Sequence, residues 1–199
     1  MARAFLGRIA TLENVIGALA PASHRRSRTV DQATSTARSR PDKNASHMNH
    51  PRIVIETNVD PAAAFAFVAD PVNETKWNPR ATRAEKSSPP PVGVGSTFTI
   101  IGKMVGREMK VDVVVTELDP PRLFSTRASS GPMRFDTTYV VEPTGSGASI
   151  TMSVAVAVEG PLRLATPLIR EGFGRRLSGL APRLKAAIEA YPTAGEASS

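Results

Sequence analysis

The sequence predicts an α+β fold in which an antiparallel sheet of six to seven short strands is covered on one face by a single long helix. Between Arg52 and Glu159 the chain consists of short β-favouring stretches separated by turn residues. Near the C-terminus, apolar residues recur at steps of three and four, which is the period of an amphipathic helix: Ile169, Phe173, Leu177, Leu180, Leu184 and Ile188. A sheet with one apolar face needs one cover, and this is the only long helix that the sequence offers.

The elements that precede the long helix follow from local signals. Residues 52–58 alternate apolar and polar side chains and are predicted to form the first strand. Asp-Pro pairs at 60–61 and 70–71 are typical of helix starts, so we predict two short helices, the second ending near Trp77. Turn residues then separate six further predicted strands, at residues 81–87, 95–104, 107–118, 122–129, 133–142 and 149–159.

The long helix has a clear start and one irregularity. Thr166 followed by Pro167 predicts an N-cap with proline at the first helical position. Pro182 lies inside the apolar stripe, where a proline removes one backbone hydrogen bond and costs about 3 kcal/mol unless a kink absorbs it. Packing must therefore hold this helix, which either bends over a cavity or simply tolerates a kink.

The net charge of +7 is concentrated in the first quarter of the chain. Residues 1–47 carry eight Arg or Lys residues against three acidic residues, which leaves a net charge of +2 on the remainder. The part that is predicted to fold shows no basic stripe, so we expect no nucleic-acid partner. Residues 21–47 contain few apolar side chains, a composition that is typical of disordered segments.

We interpret residues 1–47 as a disordered basic N-terminal extension that the fold does not need, with Met48 as an alternative start. A second interpretation is attachment to a membrane surface through an amphipathic helix at residues 4–20. Residues 50–191 are predicted to form the domain and residues 192–199 a disordered tail. No apolar run approaches the roughly 20 residues that span a bilayer, and charged residues interrupt any secretory signal, so we expect a cytoplasmic protein.

The predicted domain lacks the side chains of several common catalytic and metal sites. The chain has no cysteine, and its three histidines are His24, His47 and His50, all before the first predicted strand. This excludes disulfides, cysteine nucleophiles and Ser-His-Asp triads from the domain. No pair of carboxylates has a convincing inward placement. We expect neither a metal site nor a cofactor.

Three segments carry a resemblance to a known family: FVADPVNETKWNP at residues 67–79, TELDPPRLF at 116–124 and EPTGSGASITMSV at 142–154. Together with the final helix they resemble the polyketide cyclase/dehydrase and lipid-transport family of the START-like (SRPBCC) superfamily. The resemblance covers about residues 50–191. It implies a helix-grip fold, in which a curved antiparallel sheet wraps around the long C-terminal helix and leaves an apolar cavity between them. That implied cavity is the reason to expect a ligand.

The resemblance implies one of two functions. The first is binding or transport of a small hydrophobic molecule that is lipid-like or polyketide-like. The second is catalysis, as a polyketide cyclase, aromatase or dehydratase that acts on such a molecule by positioning and hydrogen bonding. The missing histidine and the unpaired carboxylates favour the binder slightly, whereas an inward arginine with a tyrosine or aspartate in reach would favour the enzyme. The catalytic residues, the identity of the ligand and the oligomeric state stay open.

Candidate pocket residues are those that alternate onto the apolar face of the strands or that face it from the helices. For Trp77 and the methionines, ordinary core packing is the alternative. Thr137 and Tyr139 would offer hydroxyls to a ligand oxygen or else bond to the backbone. The face of Arg127 is undecided, and an inward guanidinium would bind a carboxylate or polarise a carbonyl. The full set is Trp77, Met104, Met109, Val111, Arg127, Phe135, Thr137, Tyr139, Met152, Val154, Phe173 and Leu177.

Overall fold

The structure is a computed structural model that describes residues 50–104, 107–131, 133–160, 164 and 166–191, with only the backbone at 104 and 107. The predicted N-terminal extension, its helix at residues 4–20 and the predicted C-terminal tail lie outside the described residues. The elements are, in order, β1 (Arg52–Thr57), α1 (Pro61–Val68), a 3-10 turn (Pro71–Asn73), α2 (Glu74–Trp77), β2 (Ala81–Lys86), β3 (Thr97–Met104), β4 (Arg107–Asp119), β5 (Leu123–Ser130), β6 (Met133–Pro143), β7 (Ala148–Val158) and α3 (Thr166–Glu189).

The seven strands form one curved antiparallel sheet with the order β1-β7-β6-β5-β4-β3-β2. From β2 to β7 each strand pairs with the next one along the chain, and β1 returns to pair with β7. A register shift between Val115 and Glu117 inserts one extra residue into β4 opposite β5, and such bulges bend and twist a sheet. The predicted fold class, with two short helices after the first strand, is confirmed.

The two faces of the sheet separate apolar from polar side chains. Along β7 the side chains of Ile150, Met152, Val154 and Val156 are buried, while the residues between them are partly exposed, because successive side chains of a strand point to opposite faces. We call the apolar side the inner face and the polar side the outer face. The inner face forms one wall of the core.

Helices α1 and α2 cover one end of the inner face. The Asp60 carboxylate caps α1 by accepting from the backbone N–H groups of Ala62 (2.9 Å) and Ala63 (3.3 Å). The helix buries Phe65 and Phe67 and contacts β6 and β7. Asn73, which leads into α2, donates its side-chain amide to the Phe67 carbonyl at 2.9 Å. This hydrogen bond fixes the two short helices against each other.

Helix α3 lies along the β1–β7 side of the inner face, with further contacts to α2. Four members of its apolar stripe are buried, namely Ile169, Leu177, Leu184 and Ile188, while Phe173 and Leu180 are half-buried. The helix begins at Thr166, which the sequence predicted as the residue before it, and runs on through Pro182, which is exposed. None of the helices within the described residues is both long enough and apolar enough to span a membrane.

Candidate functional site

The inner face is buried at one end and accessible at the other. Beneath α1 and α2, at what we call the closed end, Val115, Phe124 and Val141 are at most 2% exposed. Toward the β3–β4 and β5–β6 turns, at the open end, the apolar side chains stay half-buried although they face inward: Met109, Val111, Ala128, Met133 and Phe135. The main sheet contacts of α3 are with β1 and β7. An apolar surface on β4–β6 is therefore left incompletely covered.

Helix α3 reaches this apolar surface through one aromatic pair. The rings of Phe135 on β6 and Phe173 on α3 have centroids 5.7 Å apart and are tilted by 30°. Both side chains are half-buried, so their contact does not seal the space between helix and strand. The pair forms one border of the open end.

Two ionisable side chains belong to the closed end, one of them buried and the other partly exposed. Tyr139 on β6 is 9% exposed and stacks on Phe124 with ring centroids 6.3 Å apart. Glu74, the first residue of α2, accepts a hydrogen bond on its Oε1 atom from Asn78 Nδ2 at 2.7 Å. Glu74 is partly exposed. Tyr139 is therefore an ionisable group of the interior, and Glu74 is one at its edge.

Loss of water shifts the pKa of both groups upward. Burial raises the pKa of the Glu74 carboxyl, and the hydrogen bond from Asn78 opposes that change. Burial also raises the pKa of Tyr139 far above its usual range, and the charge of Glu74 adds to the effect.

Threonine hydroxyls continue this polar row along β5 and β6. Thr126 pairs across the strands with Thr137, two residues from Tyr139, and all three occupy the inner face. Thr126 is buried and Thr137 is half-buried. Within the part of the chain that the structure describes, none of the three hydroxyls forms a hydrogen bond. The inner face therefore presents free hydroxyls as well as apolar groups.

The structure divides the predicted pocket residues between the two ends of the inner face. Near the open end lie the half-buried side chains of Met109, Val111, Phe135, Thr137 and Phe173. In the closely packed interior lie the buried side chains of Trp77, Tyr139, Met152, Val154 and Leu177. Met104 ends β3, but its side chain lies outside the described part of the chain. The described residues contain no cluster of three His, Asp or Glu that is spaced to hold a metal ion.

Arg127, a pocket candidate whose face the sequence left undecided, lies on the outer face and not in the pocket. Its Nε donates to Asp136 Oδ1 at 2.6 Å, and its side chain is 51% exposed on the outer face. Arg127 pairs directly opposite Asp136, whereas Thr126 and Ala128 on either side of it face inward. An exposed arginine beside its carboxylate partner cannot polarise a carbonyl inside the sheet. Arg127 is therefore not the inward arginine that would favour the enzyme hypothesis.

Glu74, whose carboxyl has a raised pKa, is not among the residues that the sequence patterns single out. Its spacing to Trp77 and Asn78, three and four residues, places the three side chains on one side of a helical turn. The segment is too short to show a helical period, since α2 has only four residues. The sequence nevertheless contains a signal for Glu74, because a residue three positions before a buried tryptophan in a helix lies on the same side of the helix as that tryptophan.

Replacing Glu74 by glutamine is expected to raise the thermal stability at neutral pH and to change it little near pH 4.5, the usual pKa of a glutamate. The pKa of Glu74 is higher in the folded protein than in the unfolded chain, so the stability contributed by the neutral carboxyl is fully present below the unfolded-state pKa. That contribution is lost as the pH rises through the folded-state pKa and the carboxyl ionises. Glutamine does not ionise and still offers an oxygen to Asn78. Melting curves of both proteins from about pH 4 to about pH 8 measure the difference. An advantage of the variant that grows toward acid pH would contradict this assignment.

A family model described as polyketide cyclase / dehydrase and lipid transport matches residues 50–189. The chain belongs to this family. The match includes all seven strands and the whole of α3, so the inner face, the closed end and the open end all lie within the family's domain. A search of curated proteins finds no match.

Solved structures share the fold at low sequence identity. A START superfamily protein from Mycobacterium smegmatis has a TM-score of 0.59 at 17% identity, covering 69% of this chain and 95% of its own. TTHA0849 from Thermus thermophilus gives 0.57 at 14%, with 71% and 97% covered. The di-domain ARO/CYC BexL from the BE-7585A biosynthetic pathway gives 0.55 at 19%, with 69% and 45% covered. At these identities the similarity shows the fold of the family and leaves its chemistry open.

Proposed function

We propose that this protein binds a small hydrophobic molecule, lipid-like or polyketide-like, between α3 and the inner face of β4–β6. The observation that carries the proposal is the incomplete burial of the open end, where Met109, Val111 and Phe135 face inward but are only half-buried. Inward-facing apolar side chains that remain partly exposed are typical of ligand sites, because a bound ligand completes their burial. Membership in a family described by lipid transport supports the same conclusion.

A second candidate function is catalysis on such a molecule, as in a polyketide cyclase, aromatase or dehydratase. The family description includes cyclases and dehydrases, and the matched structure of BexL is titled ARO/CYC. The partly exposed carboxyl of Glu74 favours this candidate, since an acid whose pKa is raised by loss of water is suited to proton transfer. With Arg127 on the outer face, catalysis would depend on Glu74 and Tyr139.

Titration with Nile red, a neutral apolar dye that brightens in apolar surroundings, tests the binding site. Val111 on β4 is half-buried on the inner face, so Val111→Trp is expected to fill the uncovered space and to weaken dye binding at least about tenfold. The matched control is Val54→Trp, which places the same side chain at a 52% exposed position on the outer face of β1.

The two tryptophan variants separate an interior site from surface adsorption. The proposal requires saturable dye binding by the wild type and by Val54→Trp, together with weak binding by Val111→Trp. Equal binding by all three proteins would place the dye on the surface and contradict the proposal. Melting curves of the three proteins verify that each one is folded.

A further inference from the structure

A cleft between the start of β1 and one side of α3 holds a second set of polar groups. Its volume is about 540 Å³. None of its lining residues belongs to the apolar stripe that holds α3 on the sheet, and none belongs to the open end of the inner face. The lining residues are His50, Pro51, Arg52, Pro167, Arg170, Glu171, Gly174 and Ser178.

Backbone and side-chain contacts fix the two walls of this cleft. On one wall the Pro51 carbonyl accepts a backbone N–H from β7 at 2.9 Å, which holds the chain next to His50. On the other wall α3 passes so close that a Cβ atom at Gly174 would lie 3.5 Å from the Pro51 ring. One helical turn before Gly174, the Arg170 Nε donates to the Val156 carbonyl at 3.2 Å, and this orients the guanidinium group. The walls therefore present their polar groups in a defined arrangement.

Three side chains of the cleft have hydrogen-bonding capacity that the described part of the chain does not use. The Nδ1 atom of His50 is buried and has no hydrogen-bond partner there. The terminal nitrogens of Arg170 and the whole side chain of Arg52 form no hydrogen bond or ion pair within the same residues. Buried polar groups in folded proteins are nearly always paired. Two cationic groups and one imidazole that line a single cleft point to an anionic, oxygen-rich partner.

We propose that this cleft binds a small phosphate ester, with the phosphate group held by Arg52, Arg170 and His50. Two guanidinium groups match the charge of a phosphate dianion, and each can donate paired N–H groups to its oxygens. The Nδ1 atom of His50 can donate to a further oxygen. Ligand sites have volumes of about 300–1,000 Å³, so the cleft has room for an organic group beside the phosphate. The inference goes beyond the proposed function, because it concerns a second ligand at a second place.

Glu171 is the one carboxylate of the cleft, and it opposes an anion. Its ion pair with Arg175, one turn further along α3, compensates its charge before any ligand binds. A phosphate ester carries close to two negative charges and three acceptor oxygens, whereas a carboxylate carries one charge and two oxygens. A phosphate therefore outweighs the remaining repulsion more effectively than a carboxylate does, and it uses all three donor side chains.

Isothermal titration calorimetry at low salt tests the site with glycerol 3-phosphate, glycerate and glycerol, which share one small polar body. The wild type is expected to bind one glycerol 3-phosphate, at least about tenfold more tightly than glycerate, and not to bind glycerol. Arg52→Gln should weaken glycerol 3-phosphate binding at least about tenfold. The matched control is Arg183→Gln, which removes the same charge from an exposed position of α3 outside the cleft and should leave binding nearly unchanged.

Glu171→Gln changes the affinity in the opposite direction, which a loss of folding does not produce. It removes the opposing charge and is expected to tighten glycerol 3-phosphate binding. Arg52→Gln should leave the Nile red titration unchanged, so the cleft and the proposed hydrophobic site are tested separately.

The inference is overturned, while the proposed hydrophobic site stands, if the wild type binds no glycerol 3-phosphate or binds glycerate equally well. Equal weakening by Arg52→Gln and Arg183→Gln overturns it as well, because the effect would then be one of overall charge. Binding to phosphatidylcholine vesicles that contain phosphatidic acid, without binding of glycerol 3-phosphate, would assign the cleft to a lipid surface and overturn the small ester. Failure of the Nile red titration alone leaves the phosphate site standing.

Discussion

Truncating Phe67 to alanine is expected to lower the free energy of unfolding by about 3–5 kcal/mol. The ring is fully buried on α1 and meets the ring of Tyr191 edge-on at a centroid distance of 5.2 Å. Its backbone carbonyl also accepts the side-chain amide of Asn73. Removing the ring would leave a cavity at the closed end that neighbours on two helices and the sheet cannot fill without moving. Urea denaturation of the variant and the wild type measures the loss.

The control for this prediction is Phe173→Ala, the same truncation at the open end. Phe173 is half-buried and packs on Phe135 beside accessible space, so water can occupy much of the volume that its ring leaves. We expect its loss to be less than half that of Phe67→Ala. Equal losses would show that Phe173 is ordinary core, and the distinction between an open and a closed end would then fail.

The second large effect is expected at Leu184. Its side chain is fully buried on α3, and Leu184→Ala should lower the free energy of unfolding by about 2–5 kcal/mol, as truncation of buried leucines does. Lys185 is the adjacent control, because its side chain is 48% exposed and its ion pair with Glu189, at 3.7 Å, is exposed as well. We expect Lys185→Ala to change the stability by no more than about 0.5 kcal/mol. Thermal or urea denaturation distinguishes the two.

Leu180 provides an intermediate case for the same prediction. It belongs to the apolar stripe but is only half-buried, so its truncation should cost less than that of Leu184. Near-equal losses at Leu180, Leu184 and Lys185 would mean that α3 is not held by the face that the structure assigns. Because Pro182 lies between these positions, the comparison also tests whether the stripe is continuous across the proline.

The arrangement of strands and helices could be predicted because each element carries its own local pattern. Inward and outward side chains alternate without interruption along β7 from Ile150 to Val158. A sequence keeps this period of two where one face of the strand is buried. The stripe of α3 repeats at steps of three and four for the same reason. Turn residues then mark the boundaries to within one or two positions. Local patterns of this kind give the fold and the two sides of the sheet.

The candidate site could be predicted only in part, because it depends on how distant elements lie over one another. Alternation correctly assigns Val111 and Val113 to one face, but it does not say that Val113 is buried while Val111 is half-buried. That difference arises because Val113 lies nearer the closed end, next to the fully buried Val115, whereas Val111 lies toward the open end, which α3 leaves incompletely covered. In the same way, Arg127 sits on a strand with polar residues on both faces, so its orientation becomes evident only from its pairing with Asp136.

Contacts of a bound probe with individual methyl groups test the central claim most directly. With methyl-labelled protein and Nile red, we expect intermolecular nuclear Overhauser effects from the half-buried inner-face methyl groups of Met109, Val111 and Met133. The exposed methyl groups of Val54 and Val94, which are 52% and 67% accessible, serve as internal controls and should show none. Effects confined to Val54, Val94 or other surface methyl groups, with silence from Met109, Val111 and Met133, would contradict a ligand site between α3 and the inner face of the sheet.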